Sequence, residues 1–596
     1  MADIKHHVLT CGGSACGGVA KSLEPELRRL LEEHHLRDEV KLIETVYFGL
    51  CGMCPLLIVY PEEIVYQRVR PEDLVEIVES HLINGKPVER LISRDGIDRS
   101  RIRILGTTDF FGKQLRITLR NCGIIAPESI DDYLEMRGYE ALARVLDAAS
   151  PPDVIGAVSK SGLRGRGGAG YPTGLKWKLT ADEPATPKYV ICNADEGDPG
   201  AFMDRTAIEG DPHSILEGMA IGGYAIGSNI GYIYIRAEYP LALKRLQHAI
   251  EQAESYGLLG ENILGSGFSF NIDIKLGAGA YVCGEETALI HSIEGRRGMP
   301  SPKPPYPSVE GLWGKPTLIN NVETWANISP IILNGPEWFA SIGTESSKGT
   351  KVFALAGKVK NTGLVEIPMG TALREIVFDI GGGIEGGKEF KAAQTGGPSG
   401  GCIPAEYLDL PVDYESLKQA GSIMGSGGLI IMDENTCMVD VARYFLSFTQ
   451  DESCGKCTPC REGTKRLLEI LTRITHGKGE PGDLRKLERL SHTVRRSSLC
   501  GLGQSAPNPI LSTLRFFKDE YEAHINEKRC PAHSCPALLR YCIDPEKCVG
   551  CTLCARICPV NCISGEPKKI YVIDQLRCIR CGECMTKCRF DAIYKE

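Results

Sequence analysis

The run "CVGCTLCARICP", residues 548–559, decides the fold of the C-terminal part of this chain. Its first three cysteines are separated by two residues each, and the fourth follows after three more residues and precedes a proline. The same C-x2-C-x2-C-x3-C spacing returns in "CIRCGECMTKC", residues 578–588. Three thiolates at this spacing hold one face of a [4Fe-4S] cluster, and the fourth cysteine of each run reaches the other cluster. The two runs therefore predict a small domain built around two clusters over residues 546–596.

Both runs resemble the cluster-binding run of bacterial ferredoxins, which predicts a bacterial 2[4Fe-4S] ferredoxin fold. The second run ends in Arg589 instead of proline, a departure that affects the local turn more than the ligation. A zinc ribbon is the alternative, but it needs only two C-x2-C pairs and leaves half of these cysteines unexplained. The first cluster is assigned to Cys548, Cys551, Cys554 and Cys588, and the second to Cys578, Cys581, Cys584 and Cys558.

A third group of cysteines lies in "DESCGKCTPCREG", residues 451–463, and is followed by one more cysteine in "SSLCGLG". The surrounding sequence, 435–525, has helical periodicity in four segments, which predicts a four-helix bundle. A loop with three thiolates, closed by a later cysteine, suits a [4Fe-4S] cluster at the end of that bundle, although zinc is an alternative at this spacing. The predicted ligands are Cys454, Cys457, Cys460 and Cys500.

Composition limits the class of protein. The chain has 596 residues, a formal net charge of −8 and a pI of about 5.9. This length predicts several domains, and the acidic balance argues against nucleic acid as a partner. The N-terminus has no apolar signal core and no apolar run reaches the length of a membrane span, so a cytoplasmic protein without direct membrane insertion is expected. Most of the 25 cysteines stand in C-x2-C groups, which favours metal ligation over disulfides.

The remaining segments differ in pattern. Residues 1–95 combine a helical stretch with an apolar strand-like run and predict a small α/β domain. Residues 105–335 are rich in glycine and aromatic residues, and residues 345–430 alternate short apolar runs with turns, which predicts a β-rich domain. Residues 528–545 connect the bundle to the tail and are predicted to form a hinge.

The hinge sequence "RCPAHSCPALLRYC", residues 529–542, brings three thiols and an imidazole close together. Such donors suit tetrahedral zinc, which would stiffen the joint; the alternative is that these cysteines hold no metal. The predicted zinc ligands are Cys530, His533, Cys535 and Cys542. The six cysteines without an assigned role are predicted to be small buried hydrophobic residues: Cys122, Cys192, Cys283, Cys402, Cys437 and Cys562.

The segment "GLRGRGGAGYPTGLKW", residues 162–177, is the candidate nucleotide loop. Its glycines let backbone amides approach a phosphate or a flat ring, and its arginines and lysine supply positive charge. A glycine-rich loop alone is weak evidence, since flexible turns are common. Two acidic stretches strengthen it, "CNADEGDPG" (192–200) and "GAGAYVCGEETALI" (277–290), because carboxylates bind the hydroxyl groups that a flavin and a nicotinamide nucleotide offer.

These three motifs, with "PKPPYPSVEGLWGKPTLINNVET" (302–324) and the two cysteine segments of the bundle, resemble a known family. They are similar to the NADH-binding flavoprotein subunit of respiratory complex I and of multisubunit hydrogenases and formate dehydrogenases. The resemblance covers about residues 109–525, with the motifs in the family's order. It implies FMN in a Rossmann-like domain that also binds NADH, then a β-grasp domain of the soluble-ligand-binding (SLBB-like) type, then a helical bundle with one [4Fe-4S] cluster.

The resemblance also implies binding residues. Around FMN it places Gly165, Arg166, Gly167, Lys176, Asn193, Asp195, Gly284, Glu285, Asn320, Asn321 and Thr324. Around NAD(H) it places Tyr171, Glu196, Glu286, Lys303 and Tyr306. The family usually has phenylalanine at both tyrosine positions, and either ring can stack on a base. An acidic residue near the adenosine ribose accepts bonds from a free 2'-hydroxyl and repels a 2'-phosphate, so Glu286 favours NAD over NADP.

Residues 1 to about 90 resemble the thioredoxin-like [2Fe-2S] domain that accompanies this family. The match departs from the family pattern at Tyr47, where a cysteine is expected, and an additional cysteine follows at position 54. The alternative is a thioredoxin-like docking domain without a cluster. The four thiols available for a [2Fe-2S] cluster are Cys11, Cys16, Cys51 and Cys54.

The implied activity is electron transfer between NADH, FMN and the clusters, with no catalytic side chain, since hydride transfer belongs to the flavin. The N-terminal domain and the two-cluster tail resemble the diaphorase subunit of an electron-bifurcating [FeFe] hydrogenase. The implied partners are a hydrogenase or formate dehydrogenase catalytic subunit, a small thioredoxin-like [2Fe-2S] subunit and ferredoxin, in a hetero-oligomer. The alternatives are a diaphorase subunit of NAD-dependent formate dehydrogenase, a complex I subunit, and an electron-transfer scaffold with an inactive flavin site.

Overall fold

A computed structural model describes residues 4–11, 23–45, 54–62, 64–92 and 112–595. The chain divides into two compact units, Met1–Lys388 with Ala392–Ile431 and Glu389–Lys391 with Met432–Glu596. Among the described residues, no helix is both long and apolar enough to cross a membrane.

The N-terminal part of the first unit is a small α/β domain. Its elements are β1 (His6–Cys11), α1 (Leu23–Glu33), β2 (Val40–Thr45), β3 (Leu57–Tyr60), β4 (Ile64–Tyr66) and α2 (Asp73–Glu76), which a π-helical turn extends through Ile77–Ile83. The sheet has the order β2-β1-β3-β4, with β1 and β2 parallel and the other pairs antiparallel. Leucines at helical spacing on one face of α1 pack with the sheet residues in a common core, as the amphipathic pattern predicts.

The central domain is a parallel sheet between helices. Its strands are β5 (Tyr189–Ala194), β6 (Ile230–Arg236), β7 (Asn271–Gly277) and β8 (Thr317–Asn321). Its helices are α3 (Ile130–Glu135), α4 (Glu140–Ala148), α5 (Pro151–Lys160), α6 (Thr173–Ala181), α7 (Met203–Gly210), α8 (Pro212–Ile226), α9 (Pro240–Ser255), α10 (Glu286–Ile293), α11 (Val322–Ala326), α12 (Ile328–Asn334) and α13 (Pro336–Ala340). The strand order is β7-β6-β5-β8, and all neighbours are parallel. Strands as continuously apolar as β5 are typical of a sheet covered on both faces.

The β-rich segment forms a five-stranded sheet. Its elements are β9 (Thr350–Gly357), β10 (Gly363–Pro368), β11 (Phe390–Thr395), β12 (Gly401–Pro404), α14 (Tyr414–Gln419) and β13 (Gly428–Asp433). The strand order is β10-β9-β13-β11-β12. β9 pairs antiparallel with β10 and parallel with β13.

The second unit begins with helices. They are α15 (Met438–Asp451), α16 (Thr458–Thr475), α17 (Asp483–Ser497), α18 (Gly501–Ser505), α19 (Asn508–Phe516) and α20 (Lys518–Glu522). The four longer helices pack in a ring, since α15 contacts α16 and α19, and α17 contacts the same two helices. Their buried leucines, isoleucines and valines form one core.

The C-terminal tail has short elements around its cysteines. They are β14 (Tyr541–Ile543), α21 (Leu553–Ile557), β15 (Ile563–Ser564), β16 (Val572–Ile573), α22 (Glu583–Thr586) and β17 (Ile593–Lys595). β14 pairs with β17, and β15 pairs with β16. Ala532 and Leu538 belong to the core of the helical part, whereas Tyr541 belongs to the core of the tail. The change from one core to the other falls between Leu538 and Tyr541, inside the segment 528–545.

Candidate functional site

The carboxyl edge of the parallel sheet gathers the predicted flavin-contacting residues. Asn193 at the end of β5 stands in register with Asn321 at the end of β8. The Asn193 amide donates to the Gly284 carbonyl at 2.9 Å, which joins the loop before α10 to the same edge. In open parallel sheets, ligands bind at this edge where the strand order reverses, and here the reversal falls beside β5.

The glycine-rich loop lies directly against this edge. The backbone N–H of Arg166 donates to the Thr324 hydroxyl at 2.9 Å, at the start of α11. A Cβ atom at position 167 would stand 3.1 Å from the Cβ of Asn321, so a side chain there would displace Asn321 by a few tenths of an ångström. Within the described part of the chain, the N–H groups of Gly167 and Ala169 donate no hydrogen bond, and both residues are exposed. Open backbone amides of this kind fit a flavin or its phosphate.

Arg166 does not present its charge to a ligand. Its guanidinium is fully buried and donates to the carbonyl groups of Arg164 at 2.8 Å, Lys348 at 2.6 Å and Thr350 at 2.9 Å. The side chain thus braces the loop, while its backbone takes part in the site. The motif predicted that Arg166 supplies positive charge to a phosphate, but its guanidinium is used within the protein.

The β-rich segment holds the loop from its other side, which the sequence did not predict. The Tyr414 hydroxyl donates to the Gly165 carbonyl at 2.8 Å. Arg164 stacks on the Tyr414 ring, with 4.2 Å from its guanidinium carbon to the ring centroid, and donates to Glu415 at 2.6 Å. Nothing local marks Tyr414 as a site residue, because its partner lies about 250 positions earlier in the chain.

The predicted nucleotide side holds a carboxylate between two lysines. Glu286 accepts from Lys176 at 2.5 Å and from Lys303 at 3.0 Å. Burial alone would raise the pKa of Glu286, yet the two ammonium groups lower it to about 2, so this carboxylate is charged at neutral pH. The rings of Tyr171 and Tyr306 are 45% and 57% exposed, which leaves aromatic surface for a base to stack on.

Three other acidic residues of the predicted sites contact neighbouring parts of the chain. Glu196 is buried and accepts from the N–H groups of Asp204 and Arg205, both at 3.1 Å, at the first turn of α7. Burial raises the pKa of Glu196 to about 6. Glu285 caps α10 by accepting from the N–H groups of Thr287 and Ala288. Asp195, with a fully buried side chain, lies 3.9 Å from Arg236 at the end of β6.

The third cysteine quartet lies at helix N-termini in the second unit. Cys460 is in the first turn of α16, and Cys500 immediately precedes α18. Arg461 donates to the Gly455 carbonyl at 2.6 Å and so holds the loop that carries the other two cysteines. Burial raises the pKa of Cys460 to about 11, and the other three thiols of the set act on it in the same direction. The partial positive charge at a helix N-terminus suits the net negative charge of a thiolate-ligated cluster.

The tail brings each predicted quartet into one cavity. One cavity is lined by Cys548, Cys551, Cys554 and Cys588, together with apolar side chains. The other is lined by Cys558, Cys578, Cys581 and Cys584, and also by Cys562. Four thiols in an apolar wall fit a [4Fe-4S] cluster.

A fourth group of possible metal ligands has its ligand atoms closer together than the three cysteine quartets do. The ligand atoms of Cys437, His524, Cys530 and Cys535 lie within 4.8 Å of one another, and all four residues are buried. Cys437 Sγ is 3.7 Å from Cys535 Sγ, and His524 Nε2 is 3.4 Å from each of these sulfurs. A tetrahedral zinc ion with Zn–S bonds of about 2.3 Å holds its sulfurs about 3.8 Å apart. The His524 Nδ1 contacts the Glu520 carbonyl at 2.7 Å, an arrangement that directs Nε2 toward a metal.

This group differs from the predicted zinc set in two members. Cys530 and Cys535 belong to both, but His533 and Cys542 are not part of the close group, and Cys542 lies in β14 of the tail. Cys437 and His524 take their places. All six unassigned cysteines are buried as predicted, but Cys437 stands in a metal-ligand group and Cys562 beside a cluster cavity. Among the described residues, the ligand atoms of the three cysteine quartets do not come as close together as those of this group.

The predicted [2Fe-2S] ligands lie only partly within the described residues. Cys11 is buried at the end of β1, and Cys54 lies in the loop before β3. Cys16 and Cys51 lie outside the described residues.

Three family models match the chain. The Nuo51 FMN-binding domain matches residues 158–330, the iron–sulfur binding region of NADH-ubiquinone oxidoreductase-F matches residues 440–524, and a 4Fe-4S dicluster domain matches residues 547–592. These segments contain the glycine-rich loop, the bundle quartet and the tail quartets. Fold and matches together define an oxidoreductase subunit of NADH dehydrogenase type, with an FMN-binding domain and [4Fe-4S]-binding domains.

Similar proteins narrow the family. The chain is 63% identical over 484 residues, 81% of its length and 98% of the relative's, to the NADP-reducing hydrogenase subunit HndC of Solidesulfovibrio fructosivorans. It is 46% identical over 70% of its length and 99% of the relative's to a subunit of the NADH-quinone oxidoreductase of Rhizobium meliloti. Among solved structures, an NAD+-reducing [NiFe]-hydrogenase matches with a TM-score of 0.62 and 29% identity, covering 88% of this chain and 84% of that one. The chain belongs to the family of flavoprotein subunits shared by these hydrogenases and NADH-quinone oxidoreductases.

Proposed function

We propose that this chain is the diaphorase subunit of a hydrogenase complex, which exchanges electrons between NAD(H), FMN and a series of iron–sulfur clusters. One observation supports this more than any other: a domain that matches the Nuo51 FMN-binding domain is fused to a tail with two further cysteine-lined cavities. The 63% identity to a hydrogenase subunit and the match to a solved hydrogenase structure support the choice of a hydrogenase over complex I.

FMN, when bound, accepts a hydride and releases electrons one at a time. The residues of the chain bind and orient the flavin and the nicotinamide nucleotide. The loop between Gly165 and Gly170 offers backbone amides, and Tyr414 and Arg166 keep that loop in place. Tyr171 and Tyr306 supply exposed rings on which the nicotinamide nucleotide stacks. No side chain has to act as a general base, because the reaction moves a hydride and not a proton from carbon.

The nucleotide preference depends on Glu286. Similar proteins carry both coenzymes in their names, NADP for the Solidesulfovibrio protein and NAD+ for the [NiFe]-hydrogenase. A carboxylate that stays charged at neutral pH disfavours a 2'-phosphate, and it also occupies the lysines that would otherwise bind one. This supports NAD(H) as the substrate.

The clusters are proposed at the three wide quartets: Cys454, Cys457, Cys460 and Cys500; Cys548, Cys551, Cys554 and Cys588; and Cys578, Cys581, Cys584 and Cys558. Zinc is proposed at Cys437, His524, Cys530 and Cys535. Its site joins the end segment after α20 to the start of α15, so the metal has a structural role in fastening that segment to the helices. A [2Fe-2S] cluster near Cys11 and Cys54 remains a proposal that rests on the family resemblance.

The partners proposed are a hydrogenase catalytic subunit, a small thioredoxin-like [2Fe-2S] subunit and ferredoxin, in a hetero-oligomer that bifurcates electrons and whose catalytic subunit is of the [FeFe] type. The second candidate is the diaphorase subunit of an NAD-dependent formate dehydrogenase, which the same flavin and cluster sites would serve.

The purified full chain tests the proposal directly. We expect a flavin absorption spectrum, about one FMN per chain, and NADH-dependent reduction of a viologen dye. A chain that binds clusters but no flavin would be an electron-transfer scaffold, and the proposal would fail. Subunits that copurify with the tagged chain, assayed with hydrogen and with formate, separate the hydrogenase from the formate dehydrogenase.

A further inference from the structure

The second cavity of the tail is lined by five cysteines, although a cubane cluster takes four ligands. The fifth is Cys562, which is only 4% exposed. Its Sγ lies 3.4 Å from the Sγ of Cys558, the predicted ligand contributed by the first cysteine run. Cys578 of the same quartet lines the cavity together with Cys562. The thiol of Cys562 is thus a near neighbour of Cys558 and lines the same cavity as the quartet.

The two halves of the tail can be compared at corresponding positions, Cys562 in one half and Ala592 in the other. The N–H of Cys562 lies 3.4 Å from Cys558 Sγ, and the N–H of Ala592 lies 3.4 Å from Cys588 Sγ. Each residue stands four positions after the bridging cysteine and immediately before a strand, β15 or β17. Ala592 also lines its own cavity. The two halves therefore have the same local geometry, with a thiol at one position and a methyl group at the other.

We propose that Cys562 is a reserve ligand of the second tail cluster, able to replace Cys558 on the same iron. In the exchange, the Fe–S bond to Cys558 breaks and an Fe–S bond to Cys562 forms. The proton that leaves the Cys562 thiol is taken up by the released Cys558 thiolate, so no electron is transferred and the charge is unchanged. This inference rests on the cluster assignment in the proposed function.

The test uses single cysteine variants of the full chain, with iron content and the EPR spectrum of the oxidised and reduced protein as readouts. We expect Cys558→Ala to keep the wild-type iron content and both tail clusters, because Cys562 supplies the fourth bond. The matched variant Cys588→Ala has only Ala592 in the corresponding place. Cys588→Ala should therefore lose between about one and four irons per chain. If a three-iron cluster remains, the oxidised protein should show the EPR signal of that cluster.

Two double variants complete the test. Cys558→Ala with Cys562→Ala should lose iron as Cys588→Ala does, and Cys588→Ala with Ala592→Cys should regain it. Equal loss of iron in Cys558→Ala and Cys588→Ala would overturn the inference, as would retention of the cluster in the Cys558/Cys562 double variant. If the wild-type chain itself held no pair of tail clusters, the proposed cluster assignment would fail instead, and the two failures are therefore distinguishable.

Discussion

At the scale of single residues, Glu286 has the clearest consequence for activity. Its carboxylate holds Lys176 and Lys303 together, and these charges lower its pKa to about 2 against the effect of burial. Since its folded pKa lies below its ordinary value, its ion pairs stabilise the protein above about pH 4.5 and are lost as the pH falls toward about 2. Across the neutral range the carboxylate should therefore act on the coenzyme without titrating.

Replacing Glu286 with alanine should narrow the preference for NADH over NADPH by about tenfold in kcat/KM, equivalent to about 1.4 kcal/mol. The change removes a negative charge that repels a 2'-phosphate and frees two lysines that can bind one. Steady-state kinetics with both coenzymes and a viologen acceptor measure it, and the ratio should not vary with pH near neutrality.

Glu310→Ala is the control for this prediction, because that carboxylate is exposed and lies close to Tyr306 in the sequence. The ratio of kcat/KM for NADH to that for NADPH should be the same in Glu310→Ala as in the wild type. An unchanged ratio in Glu286→Ala would remove the role assigned to Glu286 in choosing the coenzyme.

Tyr414 should matter for FMN binding although it lies outside the flavin-binding domain. In Tyr414→Phe the Gly165 carbonyl loses its donor, and a hydrogen bond of this kind contributes about 1 kcal/mol. We expect FMN affinity to fall about fivefold, measured by fluorescence titration of the deflavinated chain. Tyr256→Phe, which removes an exposed bond to Asp131 elsewhere in the same unit, should leave FMN affinity unchanged. Equal affinity in the two variants would show that Tyr414 does not position the loop.

At the scale of elements, the proposed zinc site connects the start of α15 to the stretch from His524 to Cys535, which lies almost 90 residues later in the sequence. Cys437 precedes α15, His524 lies in the turn that continues α20, and Cys530 and Cys535 lie in the segment that follows. Ala532 and Leu538 of that segment pack into the helical core beside the metal group. Metal ligation and apolar packing therefore fasten the same piece of chain.

We expect the wild-type chain to hold about one zinc ion per molecule and His524→Ala to lose it, measured by elemental analysis of fully iron-loaded protein. The variant should also unfold at a lower temperature, because a buried site with one donor removed leaves thiols without their cation. His533→Ala is the matched control and should keep its zinc. Zinc loss in the His533 variant instead, or iron as the sole metal in the wild type, would contradict the assignment.

At the scale of the whole molecule, the tail is the part that separates this chain from a plain NADH dehydrogenase subunit. Its first strand, β14, pairs with its last, β17, so the tail begins at Tyr541. A deletion of residues 541–596 removes the tail cleanly and keeps the proposed zinc ligands. A deletion that starts at residue 546 would leave β14 without its partner.

The chain without residues 541–596, assembled in its complex, should keep NADH-dependent dye reduction, because the flavin site and the bundle quartet remain. It should lose most of its ferredoxin-coupled turnover, since two low-potential clusters match ferredoxin better than NADH. Assays of the complex with NADH and dye, and then with NAD(H) and ferredoxin together, measure both activities. Full ferredoxin coupling in the truncated complex would show that the tail only stores electrons.

The spacing of residues along the sequence was enough to predict several local features of this protein. The positions of the two tail quartets, the glycine-rich loop and the amphipathic helices could be predicted because the spacing of a few neighbouring residues sets their geometry. The cavities that gather each tail quartet show the same groups that the spacing implied. Family resemblance extended this to the flavin and nucleotide residues, several of which the structure brings to one edge of the parallel sheet.

Only tertiary structure decided the rest. Cys437 and His524 lie 87 positions apart, and no local pattern joins them, so sequence proximity favoured His533 and Cys542 instead. The guanidinium of Arg166 holds the loop in place, because it donates to three backbone carbonyls, two of which lie more than 180 positions away. Tyr414 contacts the loop although it belongs to another domain, and the thiol of Cys562 lies beside that of Cys558 in the folded tail. Spacing along the chain determines which groups can share a turn, whereas packing determines which distant groups meet.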